Sequence, residues 1–242
     1  MRTLFRFRRT GIAIACTSVA LACGDRTPTQ PPNPSSILLV SGDQQQAVVA
    51  HALSAPIVVR VLDDKGQVEA GVDVIFVPAT GAGTVNPQQT TTDADGIARA
   101  IWSVGTSTRF AQTLEARVEN RLGPALVTTF HATALPGPAT ALAIGTEPTT
   151  ATISGKLLDV QPSVVLVDAY GNVAPQSGVR VLASLVGPTS ESLGGTVTAF
   201  TNAFGAARFT DLTITGPVGS VMLQFTSPPL TPVLSSHIDL VP

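Results

Sequence analysis

The octapeptide VLDDKGQV at residues 61–68 returns as LVDAYGNV at residues 166–173, and the similarity continues beyond it. Each copy is followed by a Gly-Val-x-Val segment, then by Gly-Thr-Val, then by Thr-x-Ala-x-Gly-x-Ala-Arg. The offset between the copies is 105 positions, measured from Gly66 to Gly171. Immunoglobulin-type sandwiches have about 100 residues, whereas solenoid and propeller repeats have about 20 to 50. The repeat therefore predicts two copies of one domain.

Apolar and polar residues alternate along most of the segments between these motifs. A period of two is typical of a strand with one buried and one solvent-facing side, and sheets of that kind are antiparallel. The alternation predicts inward-facing residues at Val72, Val74, Phe76, Leu114, Ala116, Val118, Val179, Val181, Ala183, Leu185, Val221, Leu223 and Phe225. No segment after Ser36 carries a sustained helical period. We therefore predict an all-β fold of two tandem immunoglobulin-like antiparallel β-sandwiches.

The first 36 residues differ in kind from the repeats. Residues 2–9 hold four arginines, and residues 11–22 form an apolar run that ends at Cys23. This pattern is typical of an export signal, and it is shorter than the ~20 apolar residues that a membrane-spanning helix needs. Residues 26–36 hold four prolines, which oppose packed structure and favour an extended tether.

These features divide the chain into four segments. We predict a signal peptide at 1–22, a lipidated cysteine with a proline-rich tether at 23–36, a first immunoglobulin-like domain at 37–135, and a second at 137–242. The two domains join at a Leu-Pro-Gly-Pro segment, whose prolines are expected to restrict rotation between them.

Cys23 allows two interpretations. The Ala-Leu-Ala-Cys segment at 20–23 resembles the cut site of a bacterial lipoprotein, in which the cysteine is lipidated and becomes the mature N-terminus. Ala20 and Ala22 also suit an ordinary signal peptidase, which would leave Cys23 as an unmodified N-terminus. The proline tether favours lipidation, and with it a lipid anchor in the bacterial cell envelope, at the outer membrane or cell surface. Because Cys16 lies inside the signal, no internal disulfide is expected, and reductant should leave melting unchanged.

The motifs of the first copy resemble those of a known family. They are the Asp-x-x-Gly-Gln turn, the Gly-Val-x-Val-x-Phe segment at 71–76, the Thr-Asp-Ala-Asp-Gly turn at 92–96, and Trp102. In this combination, the copy is similar to the bacterial immunoglobulin-like domains of the invasin and intimin type. The second copy matches more loosely, because its turn at 201–205 lacks the second aspartate and no tryptophan follows. The resemblance implies an extracytoplasmic spacer or adhesion module rather than a reaction.

Charge and motifs argue against several classes of function. The formal net charge is −2 and no basic cluster follows the signal, so the electrostatic footprint of nucleic-acid binding is missing. The sequence contains no Gly-x-Ser-x-Gly, His-Glu-x-x-His or phosphate-cradling Gly-x-x-x-x-Gly-Lys motif. We therefore expect a non-enzymatic protein without a cofactor.

Three features suggest a ligand, and each has a simpler explanation. His131 and His237 are expected to face outward on the last strands of different domains, too far apart to share a metal ion. The acidic turns at Asp63 and Asp93 resemble parts of a calcium loop, but they lack its bidentate glutamate, and Asx turns explain them. Trp102 is interpreted as a core residue rather than a sugar-stacking platform. We predict no metal site, and a chelator should leave melting unchanged.

The two copies differ most in the loop after their third strand. The spacing from Gly71 to Gly83 is 12 positions, whereas that from Gly178 to Gly195 is 17. The extra residues predict a loop at 187–194 which, because successive strands run up and down, lies at the C-terminal end of the domain and away from the tether. The candidate contact residues for a partner are Gly187, Pro188, Thr189, Ser190, Glu191 and Ser192.

Two functions from different classes follow from these features. The first is a membrane-tethered surface spacer or adhesion protein that meets a protein or glycan ligand on another surface. The second is a periplasmic accessory lipoprotein that binds carbohydrate or peptide. A protease applied to whole cells distinguishes them, because it reaches only the first.

Overall fold

The structure, a computed structural model, describes residues 33–120, 123–187 and 190–242, and these residues form strands, turns and loops without a helix. The predicted all-β class is confirmed. Among the described residues, none lies in a helix long and apolar enough to cross a bilayer. The predicted signal peptide, Cys23 and most of the predicted tether lie outside the described residues.

Twenty strands make up the described chain. The first nine are β1 (Pro34–Ser41), β2 (Gln45–Val48), β3 (Ile57–Asp63), β4 (Asp73–Pro78), β5 (Thr84–Asn86), β6 (Gln89–Thr91), β7 (Ile97–Ser103), β8 (Gln112–Val118) and β9 (Leu126–Leu135). The others are β10 (Ala141–Thr146), β11 (Ala151–Ile153), β12 (Ser163–Val167), β13 (Arg180–Val186), β14 (Ser192–Gly194), β15 (Thr198–Phe200), β16 (Ala206–Arg208), β17 (Thr213–Thr215), β18 (Gly219–Ser227), β19 (Leu230–Leu234) and β20 (Ile238–Val241).

The first nine strands form a sandwich of two sheets around one apolar core. One sheet has the strand order β1-β3-β7-β5, and the other has the order β2-β9-β8-β4-β6. Neighbouring strands are antiparallel except β2 and β9, which run parallel. The largest side chains buried between the sheets are those of Trp102, Phe76 and Phe130. This is the arrangement of an immunoglobulin-like sandwich, as predicted.

The remaining strands repeat this arrangement around a second core. β12 pairs with β10 and β16 on one side of the sandwich. The other side has the order β11-β20-β18-β13-β15, and β19 pairs with both β18 and β10. Phe209 and Phe225 pack in the core with ring centroids 5.3 Å apart. No residue belongs to both cores, so each sandwich buries its own apolar faces.

The predicted inward-facing positions are confirmed. All of them are buried except Val179 and Leu185, which are partly buried and pack against the second core. Burying one such aliphatic or aromatic side chain contributes about 1.5–3 kcal/mol. The alternation therefore identifies the residues that hold the two sheets of each sandwich together.

Two boundaries differ from the sequence-based expectation. β1 begins at Pro34, inside the predicted tether, and Pro34 is buried opposite Asp63. Proline suits the first residue of an edge strand, because its missing N–H group is not needed there. The predicted loop at 187–194 is also shorter, because Ser192–Gly194 forms β14 and pairs with β17.

Candidate functional site at the domain junction

Four turns of one type connect strands in the two sandwiches. They begin at Asp63, Asp93, Asp168 and Asn202, and each has a glycine three residues later. In each turn, the side-chain Oδ1 accepts hydrogen bonds of 2.7–3.1 Å from the backbone N–H groups two and four residues further on. The glycine has a positive φ, 79° at Gly171, which other residues rarely adopt. The acidic turns are therefore Asx turns, as predicted.

The turn at Asp168 also holds the linker between the domains. Asp168 is only 3% exposed. Its Oδ2 accepts a hydrogen bond of 2.9 Å from the backbone N–H of Gly137 and another of 2.9 Å from the Nδ2 group of Asn172. One carboxylate thereby ties the turn of the second sandwich to the segment that leaves the first.

Asn172 extends this contact to the first domain. The residue is 5% exposed. Its Nδ2 donates to the carbonyl oxygen of Thr106 at 2.9 Å, and its Oδ1 accepts from the N–H of Thr108 at 3.0 Å. Both threonines belong to the loop between β7 and β8. We call this group of Thr106, Thr108, Gly137, Asp168 and Asn172 the junction clamp, because its directional bonds join the two sandwiches.

The junction clamp keeps Asp168 ionised. Burial by itself raises the pKa of Asp168, but hydrogen bonds from the Asn172 side chain and from the N–H groups of Gly137, Asn172 and Tyr170 outweigh it, so the pKa lies below its ordinary value. An ionised carboxylate only accepts hydrogen bonds. It therefore matches the set of donors that surrounds it.

The first domain makes the same turn without a clamp. Asp63 accepts the same two backbone bonds, but Gln67, which stands at the position of Asn172, is exposed. Sequence reasoning missed the clamp because both turns fit one pattern. The single local signal is the change from glutamine to asparagine, and nothing in the sequence indicates which loop lies opposite.

The predicted partner-contact loop lies at the other end of the second domain. Val186 pairs with Met222, and Gly219 pairs with Leu240, so the loop after β13 lies beside the C-terminal end of the chain. The junction clamp and this loop therefore occupy opposite ends of one sandwich.

The six predicted contact residues differ in exposure. Gly187, Ser190 and Ser192 are exposed, and Pro188 and Thr189 lie outside the described residues. Glu191 is half-buried against Gly216, where an added Cβ would lie 2.6 Å from the Glu191 Cγ. The Oε2 atom of Glu191 is buried and has no hydrogen-bond partner among the described residues. The polar surface of this loop is therefore smaller than the sequence indicates.

The two histidines face solvent and Trp102 is a core residue, as predicted, but His237 lies just before β20 rather than on it. His131 and His237 are exposed and belong to different sandwiches. No group of three His, Cys, Asp or Glu residues within 33–120, 123–187 and 190–242 is arranged to hold a metal ion. Trp102 is 0% exposed, and its Nε1 donates to the carbonyl oxygen of Ala82 at 2.7 Å. The core interpretation of Trp102 is confirmed.

Comparison with known proteins finds no matching family model. No curated protein matches the chain. Among solved structures, the D00-D0 domain of intimin is similar at 14% identity with a TM-score of 0.41, over 86% of this chain and 99% of that one.

Two further structures show how broad the likeness is. The adhesin InvE of Yersinia pseudotuberculosis is similar at 18% identity with a TM-score of 0.38, over 86% of this chain and 60% of that one. A β-glucuronidase of Parabacteroides merdae is similar at 12% identity with a TM-score of 0.31, over 86% of this chain and 24% of that one. Likenesses of this size assign no function, and the immunoglobulin-like assignment rests on the sheet order described above.

Proposed function

We propose that this protein is a non-enzymatic extracytoplasmic module, tethered to a membrane, whose two coupled immunoglobulin-like sandwiches serve as a surface spacer and adhesion element. The observation that carries the proposal is the junction clamp. Asn172 uses both amide protons and its carbonyl oxygen between Asp168, Thr106 and Thr108, and all of these bonds are directional. A spacer needs a defined relation between its domains, because a free hinge would not hold a distal surface at a fixed place.

Cys23 supports the tethered part of the proposal. The cysteine follows a short apolar export signal and precedes a proline-rich segment, which is the order that a lipid anchor and its tether require. A single acyl chain binds membranes only marginally, so stable anchoring takes the two or more chains that a lipidated N-terminal cysteine carries. The protein then stands at the outer membrane or cell surface.

The first prediction concerns this anchor. We expect the mature protein from cells to partition into detergent and to carry the mass of a diacylglycerol on Cys23. Replacing Cys23→Ser should move the protein to the aqueous phase without changing its melting temperature, because the anchor lies outside both sandwiches. The measurements are intact-mass spectrometry and detergent phase partitioning. An aqueous wild-type protein with an unmodified Cys23 would contradict the anchor.

The loop at 187–194 in the second domain is the proposed place of contact with a protein or glycan on another surface. Its exposed residues Gly187, Ser190 and Ser192 lie at the end of the second sandwich opposite the junction clamp. Loops held by rigid sheets commonly carry binding. The pairing of β14 with β17 holds the C-terminal end of this loop in place.

The second prediction tests that contact. Replacing residues 188–191 with Gly-Ala-Gly-Ala retains Gly187, where a Cβ would press on Val221 at 3.1 Å, and retains β14. We expect attachment of cells to their target surface to fall several-fold while the melting temperature changes by only a few degrees. Asp64→Ala with Lys65→Ala, an exposed turn of the first domain, is the control and should leave attachment unchanged. Full attachment of the loop variant would show that the partner binds elsewhere.

A further inference from the structure

Four exposed aromatic side chains gather around the domain junction. Phe110, Tyr170, Phe200 and Phe204 are 63%, 54%, 62% and 77% exposed. The other aromatic side chains of the described residues, Phe76, Trp102, Phe130, Phe209 and Phe225, are all buried in the two cores. Large exposed rings that occur together indicate a binding surface, whereas scattered ones do not.

The loop at 168–178 connects the segments that carry these rings. It contains Tyr170, and its Asn172 accepts from Thr108, two residues before Phe110. Its other end contacts the segment that bears Phe200 and Phe204.

Two close contacts define that second end. The hydroxyl of Thr201, next to Phe200, donates to the carbonyl oxygen of Gln176 at 2.7 Å. Gly205, next to Phe204, has a φ of 74°, and a Cβ added there would lie 2.1 Å from the carbonyl oxygen of Ala174. The segments that carry the four rings therefore all contact the loop at 168–178 or belong to it.

The first domain shows that the fold does not require three of these rings. The same Asx turns in that domain carry Lys65 where the second has Tyr170, and Asp95 where the second has Phe204. Thr91 corresponds to Phe200, because the threonine that follows each makes the same pair of hydrogen bonds. The same backbone positions thus carry polar side chains in the first domain and aromatic side chains in the second. Because the fold does not require the aromatic side chains, they point to a role in binding.

The charge around the rings is positive. Arg109 precedes Phe110, and Arg180 pairs across the strands with Phe200, which puts both side chains on one face. Neither arginine takes part in an ion pair within the described residues. The only carboxylate in the segments 104–111, 168–180 and 200–205 is that of Asp168, which is buried in the junction clamp. The surface is therefore complementary to an acidic partner.

An open strand edge indicates that the partner is a polypeptide. Among the strands of the described residues, β15, which ends at Phe200, pairs with β13 alone. The backbone groups on its other edge are free to pair with an added extended chain, and a polysaccharide has no such ladder of donors and acceptors. Aromatic side chains and arginine are also the residues that dominate protein interfaces.

We propose that Phe110, Tyr170, Phe200 and Phe204, together with Arg109 and Arg180, form a docking surface for an acidic, extended polypeptide segment. We call these six residues the junction band. The peptide adds to the edge of β15, its apolar side chains cover the rings, and its carboxylates pair with the two arginines. The inference rests on the proposed adhesion function and adds to it a second contact, at the junction and separate from the loop at 187–194, with a named partner chemistry.

The test uses the full mature chain and two synthetic peptides of equal length. One alternates glutamate with valine, and the other alternates lysine with valine. Titration is followed by amide chemical shifts and by calorimetry. We expect the acidic peptide to shift the amides of residues 168–178 and 198–204 and to bind roughly tenfold or more tightly than the basic one.

Variants separate the rings from the charges. Phe200→Thr, the first-domain residue, combined with Phe204→Ser should weaken binding of the acidic peptide by about tenfold. Arg109→Glu with Arg180→Glu should reverse the preference toward the basic peptide. The control pair Arg60→Glu with Arg208→Glu, both exposed and outside the junction band, should change affinity by less than about twofold.

Several results would overturn the inference. They are equal binding of the two peptides, shifts that map outside the junction band, no binding of the acidic peptide, and preferential binding of an acidic polysaccharide such as polygalacturonate. The proposed function fails separately. A parent protein without a lipid anchor, or parent cells that do not attach, together with intact binding of the acidic peptide, would overturn the tethered role and leave the junction band. An anchored, attaching parent protein that does not bind the acidic peptide would overturn the junction band alone.

Discussion

Replacing Trp102 with alanine is expected to lower the free energy of unfolding of the first sandwich by about 3–5 kcal/mol. Trp102 is the largest fully buried side chain of the described residues, and it is the one tryptophan of the sequence. The change leaves a cavity between the two sheets and also removes the hydrogen-bond donor to Ala82. The second sandwich has its own core, so it should retain its stability.

Urea unfolding followed by circular dichroism measures the total effect, and hydrogen exchange assigns it to a domain. Protection should fall at Leu114 in the first core and remain at Leu223 in the second. Ile101→Ala is the matched control, because Ile101 precedes Trp102 on the same strand and is 54% exposed; its cost should stay within about 0.5 kcal/mol. A loss for Trp102→Ala no larger than this control would contradict the core role.

Replacing Asp168 with asparagine is expected to release the two sandwiches from their fixed relation. Asn202 makes the same Asx turn with an amide, so the local turn should survive. The new amide nitrogen, however, faces the N–H of Gly137 and the Nδ2 of Asn172, which lose their acceptor. Each buried donor left unpaired costs about 1–3 kcal/mol. The junction clamp should therefore open while both cores remain folded.

Spin labels report this opening as a distance distribution. One label at Gln89 and one at Arg208, each introduced as a cysteine with Cys23→Ser, put an exposed site in each sandwich. The distribution should be narrow in the parent chain and broad after Asp168→Asn. Asp63→Asn changes the equivalent turn of the first domain, which has no clamp, and should leave the distribution narrow. An unchanged distribution after Asp168→Asn would show that the clamp does not hold the domains together.

The distance distribution should also depend on pH. The pKa of Asp168 is lowered in the folded protein by its hydrogen bonds, against the opposing effect of burial, and an unfolded aspartate has a pKa of about 3.9. The contribution of the clamp is therefore fully present above that pH and is lost as the pH falls through the lower pKa of the folded state. The parent distribution should broaden only in acid below about pH 4, whereas that of Asp168→Asn should be broad throughout.

Protonation of other carboxylates in acid also lowers the stability of the protein. The distance distribution and global unfolding must therefore both be measured, so that opening of the junction is distinguished from unfolding of the domains. Asp93 and Asp211 also have lowered pKa values, because the N–H of Ile97 and the hydroxyl of Thr196 respectively donate to them. Their protonation lowers stability without involving the junction. A broadening that appears only together with global unfolding would contradict a specific role for Asp168.

Strand patterns were predictable because the signals that define them are local. The alternation at Val72, Val74 and Phe76 identifies a buried face from neighbouring residues alone, and the structure confirms that all three are buried. The Asx turn at Asp63 is equally local, since its hydrogen bonds reach only four residues ahead. A strand that depends on a distant partner was missed, as Ser192–Gly194 shows, because it exists through pairing with β17.

The amino-acid sequence by itself determined the all-β class, the repeat of one sandwich, the inward faces of its strands and the turns between them. Only the tertiary structure decided that Asn172 meets Thr108, 64 residues earlier in the chain, and that the segments bearing four exposed rings contact the loop at 168–178 or belong to it. The reason is physical. Periodicity and turn chemistry act between near neighbours in the chain, whereas the junction depends on which loops two folded domains bring together, and that is set by the packing of both.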